Sequence, residues 1–208
     1  MKLEEKGKVV SHPLLKPGVA VPNDFVIDEN QQLILLTGAN MSGKTTFMRT
    51  LGINCVLVNL GLSPFAHEFG FSGFQLYTSM RNTDNLGESV SSFYAELSRI
   101  KQLIDRIEKG EEIFFLLDEI LKGTNTEDRI AGSEALIRQV DNTKAMGIIS
   151  THDIELAELE NRVNSVRNYS FHSEIHDQNI DFDYKIKLGA CPSFNAHKLM
   201  ELMGIRFQ

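Results

Sequence analysis

The segment GANMSGKTT, residues 38–46, is the most informative stretch of the sequence. It follows a short apolar run at residues 33–36 and precedes a long apolar-rich segment with few helix-breaking residues. Gly38, four residues and then Gly43-Lys44-Thr45 match the pattern GxxxxGK[ST], which requires a strand before it and a helix after it. An accidental match on a glycine-rich turn is the alternative, but it does not account for both flanks. The segment therefore predicts a loop that binds phosphate.

The residue types explain how this loop would bind a nucleotide. Glycines let successive backbone N–H groups point at phosphate oxygens, and the start of the following helix adds partial positive charge. Lys44 would reach the β- and γ-phosphates, and the Thr45 hydroxyl would bind Mg²⁺. We therefore expect ATP and Mg²⁺ as cofactors, with nucleotide contacts along the whole segment: Gly38, Ala39, Asn40, Met41, Ser42, Gly43, Lys44, Thr45 and Thr46.

Two adjacent carboxylates follow a second apolar run. Residues 113–117 are all apolar, and Asp118-Glu119 come directly after them. An acidic residue at the end of a buried strand is what Mg²⁺ binding needs in such an enzyme, whereas a solvated strand end is the alternative. Because adjacent side chains of a strand point to opposite sides, we assign them different roles. Asp118 would bind Mg²⁺, and Glu119 would orient and polarise the attacking water.

Histidines occur in two further patterns. His152 follows another short strand-like run, so it would contact the γ-phosphate; a structural role is the alternative for an isolated histidine. We assign catalytic roles to His152, Glu119 and Lys44. His172 and His176 stand four residues apart in HSEIH, but a zinc-binding helix needs HExxH, and the stretch is typical of a strand and loop. A solvated hairpin is therefore expected there.

The pattern of apolar runs predicts an α/β fold. We expect strands at 25–28, 32–37, 73–79, 113–117 and 145–149, helices at 44–60, 89–109, 126–140 and 153–160, a hairpin from 164–172 and 182–188, and a terminal helix at 195–203. Alternating strands and helices indicate a mostly parallel sheet with helices on both faces. Residues 1–24 contain three prolines and are expected to form an extended edge segment.

Composition and charge disfavour two classes of protein, those that bind a nucleic acid backbone by themselves and those that contact a membrane. The 208 residues carry a net charge of −7, so this chain is a poor candidate for gripping a nucleic acid backbone by itself. Its two cysteines, Cys55 and Cys191, fit no metal or redox pattern and are expected to be buried thiols of a cytoplasmic protein. No apolar run approaches the length of a membrane span, so no membrane contact is expected.

Four ordered segments resemble the ATPase domain of MutS-type DNA mismatch-repair proteins, a branch near the ABC ATPases. LLTGANMSGKTTFMRTLG is similar to the family's phosphate loop, and DNLGESVSSFYAEL resembles its signature segment. LLDEILKGTNTED resembles its Asp-Glu strand end, and STHD matches its Thr-His pair. The likeness covers nearly the whole chain, so we expect one ATPase domain over residues 1–208, with an ABC-like phosphate-loop fold, excised from a longer protein.

The resemblance implies a composite site. Two such domains, as a homodimer or with a second MutS-like subunit, would pair through the ATPase face, and Ser91 would approach the γ-phosphate held by the partner. Asn125 and Thr126 would line the interface, and Val21 would contact adenine. The sequence offers no obvious arginine finger of its own near the phosphate loop, which agrees with stabilisation from a partner. DNA would be contacted by domains that this chain lacks.

The chain also departs from the family's pattern. Ala39 stands where proline is usual, Ser42 where glycine is usual, and Ala20 where an aromatic residue often stacks on adenine. Ser89 replaces the signature glycine, and Leu121-Lys122 replaces Gly-Arg. An ATP-hydrolysing switch is therefore weighed against a nucleotide-binding interaction module with little hydrolysis and no mismatch recognition. A transport ATPase is disfavoured because no LSGGQ-like segment occurs.

Overall fold

The computed structural model describes residues 4–16, 18–71, 73–80, 89–176 and 179–192, which form two sheets and four helical segments. The strands are β1 Glu4–Val10, β2 Asn23–Asp28, β3 Leu33–Gly38, β4 Glu68–Gly70, β5 Gln75–Ser79, β6 Ile113–Asp118, β7 Met146–Thr151, β8 Val166–His176 and β9 Asn179–Leu188. The helices are α1 Lys44–Asn59, α2 Ser89–Glu108, α3 Thr126–Val140 and a 3-10 helix, Ile154–Asn161.

The larger sheet is the predicted α/β sheet. Its six strands lie in the order β5-β6-β7-β3-β8-β9, and all neighbours are parallel except the final β8-β9 pair. Every residue of β3 and β7 is buried, because helices cover both faces of these central strands. The uninterrupted apolar runs of β3 and β6 therefore form central strands, and their carboxyl ends meet at one edge of the sheet.

Helices on the two faces create two cores. On one face, α1 contributes Phe47, Met48 and Leu51 to a cluster with the even-numbered side chains Phe114 and Leu116 of β6. On the other face, α2, α3 and the 3-10 helix pack on the side chains that point the opposite way from the same strands. The mostly parallel, mixed sheet flanked by helices is confirmed.

A separate three-stranded antiparallel sheet has the order β2-β1-β4. The prediction of an edge segment at residues 1–24 was wrong for Glu4–Val10, because β1 is the central strand of this small sheet. Its outer neighbour β4 has only three residues, too few to show an alternating pattern in the sequence. Because β4 could not be predicted, the sequence indicated only one neighbouring strand, β2, for this segment.

The remaining predictions agree with the structure to different degrees. The helix at 126–140 is confirmed at both ends, and the hairpin of β8 and β9 is confirmed with longer strands than expected. The helix expected at 153–160 is a 3-10 helix. The terminal helix expected at 195–203 lies outside the described residues. Within the described ranges, no helix has the length and apolar character needed to cross a membrane.

Candidate functional site

The 38–46 segment connects the end of β3 to the start of α1 in a tight bend. Gly38 has φ 147° and Gly43 has φ 109°, both in the region that favours glycine. A Cβ on Gly38 would lie 2.7 Å from the carbonyl oxygen of Phe171, so β8 leaves no room for a side chain there. The bend directs the first N–H groups of α1, which have no partners inside the helix, toward the carboxyl edge of the sheet.

Lys44 begins α1 and is buried beneath the bend. Its Nζ donates hydrogen bonds to the carbonyl oxygens of Gly38 at 2.8 Å and Ala39 at 3.0 Å. It also lies 3.7 Å from Oε1 of Glu119. Burial lowers the pKa of Lys44 to about 8, and the nearby Asp118 carboxylate partly opposes that shift. The ammonium is therefore held by backbone carbonyls inside the loop, where phosphate oxygens would compete for it.

Asp118 ends β6 and joins two neighbouring segments. Its Oδ2 accepts a hydrogen bond from the Thr45 hydroxyl at 2.8 Å, and its Oδ1 accepts one from the Ser150 hydroxyl at 2.5 Å. Both donors stand at the carboxyl edge of the same sheet, since β3, β6 and β7 are parallel there. A hydroxyl and a carboxylate oxygen in contact are ligands of the kind that Mg²⁺ prefers.

Glu119 is the first residue after β6 and faces a different set of groups. Its Oε1 lies 3.7 Å from Lys44 Nζ and 3.8 Å from His152 Nδ1, while its Oε2 forms an ion pair with Lys122. Its backbone has φ 50°, and its N–H donates to both the carbonyl and the hydroxyl oxygen of Ser150. The two adjacent carboxylates therefore have separate surroundings.

His152 follows β7 and is partly exposed. Burial is the main reason that its pKa is lowered, so the ring is neutral at pH 7 and retains one donor and one acceptor nitrogen. Behind it, Arg129 donates two hydrogen bonds to Asp153, each 2.7 Å long. That bidentate contact lowers the pKa of Asp153 and fixes the segment that carries His152.

Two adjoining cavities open beside the loop. One, of about 440 Å³, is polar and is lined by the loop together with Glu119, Lys122 and Tyr184. The other, of about 270 Å³, is largely apolar and includes Ala20, Val21 and Tyr184. Tyr184 is 44% exposed and lines both cavities. Together the cavities match the two ends of a nucleotide, a charged phosphate chain and a flat base.

The structure brings together most of the residues singled out from the sequence. Lys44 and His152 both lie within 4 Å of the Glu119 carboxylate, and Val21 lines the apolar cavity. Asn125 is exposed and uses its side chain to cap α3, accepting a hydrogen bond from the Asp128 N–H at 2.9 Å. Ser91 belongs to the first turn of α2, and its side chain lies outside what the structure describes.

Three residues of the site were not singled out. Ser150 hydrogen-bonds Asp118, and its place in the STHD segment was the only available signal. Lys122 was noted as a departure from a pattern, yet it supplies a second cation to the polar cavity. Tyr184 comes from β9, far from every motif in the sequence, so no local signal identified it.

The loop residues fit a nucleotide and a metal ion. Ser42 Oγ is fully buried and has no hydrogen-bond partner among the described residues. A bound ligand would supply the partner that such a buried polar atom needs. Met41 has φ 69°, a backbone conformation that a non-glycine residue adopts at a cost and that is frequent in ligand-binding loops. Thr45 and Asp118 present a hydroxyl and a carboxylate oxygen of the kind that would hold Mg²⁺.

The chain matches a known protein family and individual members of it. The family described as MutS domain V matches residues 34–205 of the chain. The chain is 33% identical over 198 residues to the DNA mismatch repair protein MutS of Oceanobacillus iheyensis, covering 93% of this chain and 23% of that protein. It is 34% identical over 189 residues to the same-named protein of Bacillus subtilis, covering 88% and 22%. The chain therefore spans less than a quarter of the length of these relatives.

Proposed function

Because the chain belongs to the MutS domain V family, we propose that it binds and hydrolyses Mg·ATP as a phosphate-loop ATPase domain of a DNA mismatch-repair protein. The observation that carries this proposal is the convergence of four side chains at one edge of the sheet. These residues come from two separate sequence segments, yet the Thr45 hydroxyl lies 2.8 Å from Asp118 Oδ2 and Lys44 Nζ lies 3.7 Å from Glu119 Oε1.

Binding begins with the loop. Phosphate oxygens would replace the carbonyl oxygens of Gly38 and Ala39 as partners of the Lys44 ammonium, because an anion is the stronger acceptor. The N–H groups at the start of α1 would bind the same phosphates. Mg²⁺ held through Thr45 and Asp118 would neutralise the charge that develops on the phosphate chain during transfer. Ser150 keeps Asp118 oriented toward Thr45.

Hydrolysis would depend on Glu119 and His152. Glu119 would accept a hydrogen bond from the attacking water, since it lines the polar cavity and its carboxylate lies near both Lys44 and His152. The neutral His152 ring would donate to the terminal phosphate, and the Arg129–Asp153 pair would hold that ring in place. Lys122, in the same cavity, would supply positive charge from within the chain.

The base would occupy the apolar cavity. Ala20 and Val21 are small, so they leave space on one side, and the exposed ring of Tyr184 offers a surface on which a base can stack. Phe182 stacks on Tyr184 with ring centroids 5.9 Å apart, which stabilises the orientation of that ring. Tyr184 would thus take the place of the aromatic residue absent at position 20.

The remaining features concern assembly. A dimer of ABC-ATPase type, with each Ser91 approaching the partner's γ-phosphate and Asn125 near the interface, would complete two sites and convert ATP binding into movement. DNA would be contacted by other parts of the protein, because this chain is acidic. We propose that residues 1–208 constitute one domain of that larger assembly, acting in the cytoplasm.

A nucleotide-binding module with little hydrolysis is the second candidate. One observation favours it: Glu119 is already engaged by Lys122 and lies near Lys44, so these cations compete with water for its carboxylate. Steady release of inorganic phosphate from Mg·ATP separates the candidates. Continuous turnover by the purified protein is the expected result, accompanied by dimers in light scattering when ATP and Mg²⁺ are present. Tight binding without turnover would favour the module.

A further inference from the structure

The turn after β6 is held in place by contacts from α2. Residues 119–123 carry Glu119 and Lys122, and they form a short irregular connection ahead of α3. Two of its residues, Glu119 with φ 50° and Leu121 with φ 59°, are left-handed although neither is glycine. Such conformations persist only where surrounding contacts impose them.

One of these contacts comes from α2. Oε1 of Glu96 accepts a hydrogen bond from the backbone N–H of Leu121 at 2.6 Å. This bond joins a charged acceptor to the middle of the turn, and charge-assisted bonds of this kind are stronger than neutral ones. Glu96 lies 25 residues away in sequence, so the bond ties two separate elements together.

Packing supports the same connection. A Cβ on Gly123 would lie 2.7 Å from Cβ of Phe93, so α2 and the turn approach as closely as glycine allows. Leu121 is buried in the core that α2 and α3 share, and Phe93 packs against that core. The left-handed conformation of Leu121 is thus stabilised on one side by burial of its side chain and on the other by the Glu96 carboxylate.

We propose that Glu96 is a positioning residue for hydrolysis, which holds the 119–123 turn so that the Glu119 carboxylate faces the polar cavity. This inference rests on the proposed function and adds a residue to it. In the proposed site, Glu96 would contact neither the nucleotide nor the metal ion, and it would act through its hydrogen bond to the Leu121 backbone. Since α2 also contains Ser91, the contact joins the segment proposed to face the partner to the turn that carries Glu119.

Three variants test this role. Glu96→Ala removes the acceptor, Glu96→Gln keeps an acceptor oxygen, and Glu108→Ala is the control. Glu108 lies in the same helix and accepts one side-chain hydrogen bond, from Gln139 Nε2, away from the turn. We expect Glu96→Ala to lower kcat about tenfold with the affinity for a non-hydrolysable ATP analogue nearly unchanged, because phosphate binding does not involve the turn backbone. Glu96→Gln should recover most of kcat.

Hydrogen exchange at the Leu121 amide supplies a readout that does not need turnover. Exchange should accelerate in Glu96→Ala and stay slow in Glu96→Gln and Glu108→Ala. Unchanged kcat in Glu96→Ala, or a Gln variant as slow as the Ala variant, would overturn the inference. If the wild-type protein does not hydrolyse ATP, the proposed function fails. The exchange experiment then still tests the inference: unchanged exchange of the Leu121 amide in Glu96→Ala would overturn it. Faster exchange in that variant would support the contact between Glu96 and the turn.

Discussion

The two ends of the proposed nucleotide site are built in different ways. At the phosphate end, Lys44 at the start of α1 and Asp118 at the end of β6 are surrounded by defined hydrogen bonds. At the base end, Val21 and Tyr184 line a smaller, largely apolar cavity. Chemistry on the phosphates therefore demands fixed positions, whereas a base needs only an apolar surface to stack on.

This difference predicts where substitutions act. Changes at the phosphate end should remove binding or hydrolysis outright, and changes at the base end should weaken binding without altering the reaction.

Glu119→Gln should produce the largest effect. The amide cannot accept a proton from water, so we expect kcat to fall about 1,000-fold while ATP still binds. Phosphate release and equilibrium binding, measured on the same preparation, check this result. If composite sites form, the variant should also accumulate as a dimer with ATP and Mg²⁺. Hydrolysis at the wild-type rate would exclude Glu119 from catalysis.

Lys44→Ala should come next, with an effect on binding. Loss of a buried ammonium that would contact the phosphates should weaken ATP affinity about 100-fold. Lys144→Ala is the matched control, because Lys144 is an exposed lysine that pairs with Glu112 far from the loop. Titration calorimetry of both variants measures the change. Equal affinities for the two variants would contradict a phosphate role for Lys44.

Tyr184→Ala should have an intermediate effect confined to the base end. Loss of one stacking surface should weaken ATP binding about tenfold, and GTP binding should fall by a similar factor, because stacking tolerates any base. Tyr184→Phe keeps the ring and should bind both nucleotides as the wild type does. Affinities measured with fluorescent ATP and GTP analogues test this, and an unaffected Ala variant would place the base elsewhere.

The pH dependence of binding should be the smallest effect. Burial lowers the pKa of Lys44 to about 8, and phosphate binding requires its charged form. Raising the pH through this value deprotonates the free protein, so ATP affinity should fall about fourfold between pH 7 and pH 8.5. Because the charged form of lysine is its protonated form, ATP affinity is lost as the pH rises above the pKa of Lys44. Affinity that is flat across this range would contradict the assignment.

The sequence predicts residues for the proposed phosphate end because they stand in short contiguous segments. Glycines and a lysine at fixed spacing define the loop, and the apolar run before Asp118 places that residue at the end of a buried strand. The base end combines residues near position 20 with Tyr184 of β9, and no local spacing connects them. Lys122 was noted only as a departure from the family's pattern, and the fold shows that it lines the polar cavity.

The same reasoning explains the fold predictions. Buried central strands are apparent because both faces must be apolar, as at residues 113–117. The three-residue strand β4 is too short to have a pattern, so the central position of β1 in the small sheet was missed. The short helix expected at residues 153–160 is a 3-10 helix, and the acidic and apolar residues of so short a segment suit either helical form.

The central claim is that the 38–46 loop and the acidic pair at 118–119 form one Mg·ATP site. A crystal structure of the protein with Mg²⁺ and a non-hydrolysable ATP analogue tests it most directly. We expect the phosphates against the loop and Lys44, the metal ion beside Thr45 and Asp118, and Glu119 facing the terminal phosphate. A nucleotide bound elsewhere, or a metal ion remote from Asp118, would contradict the account.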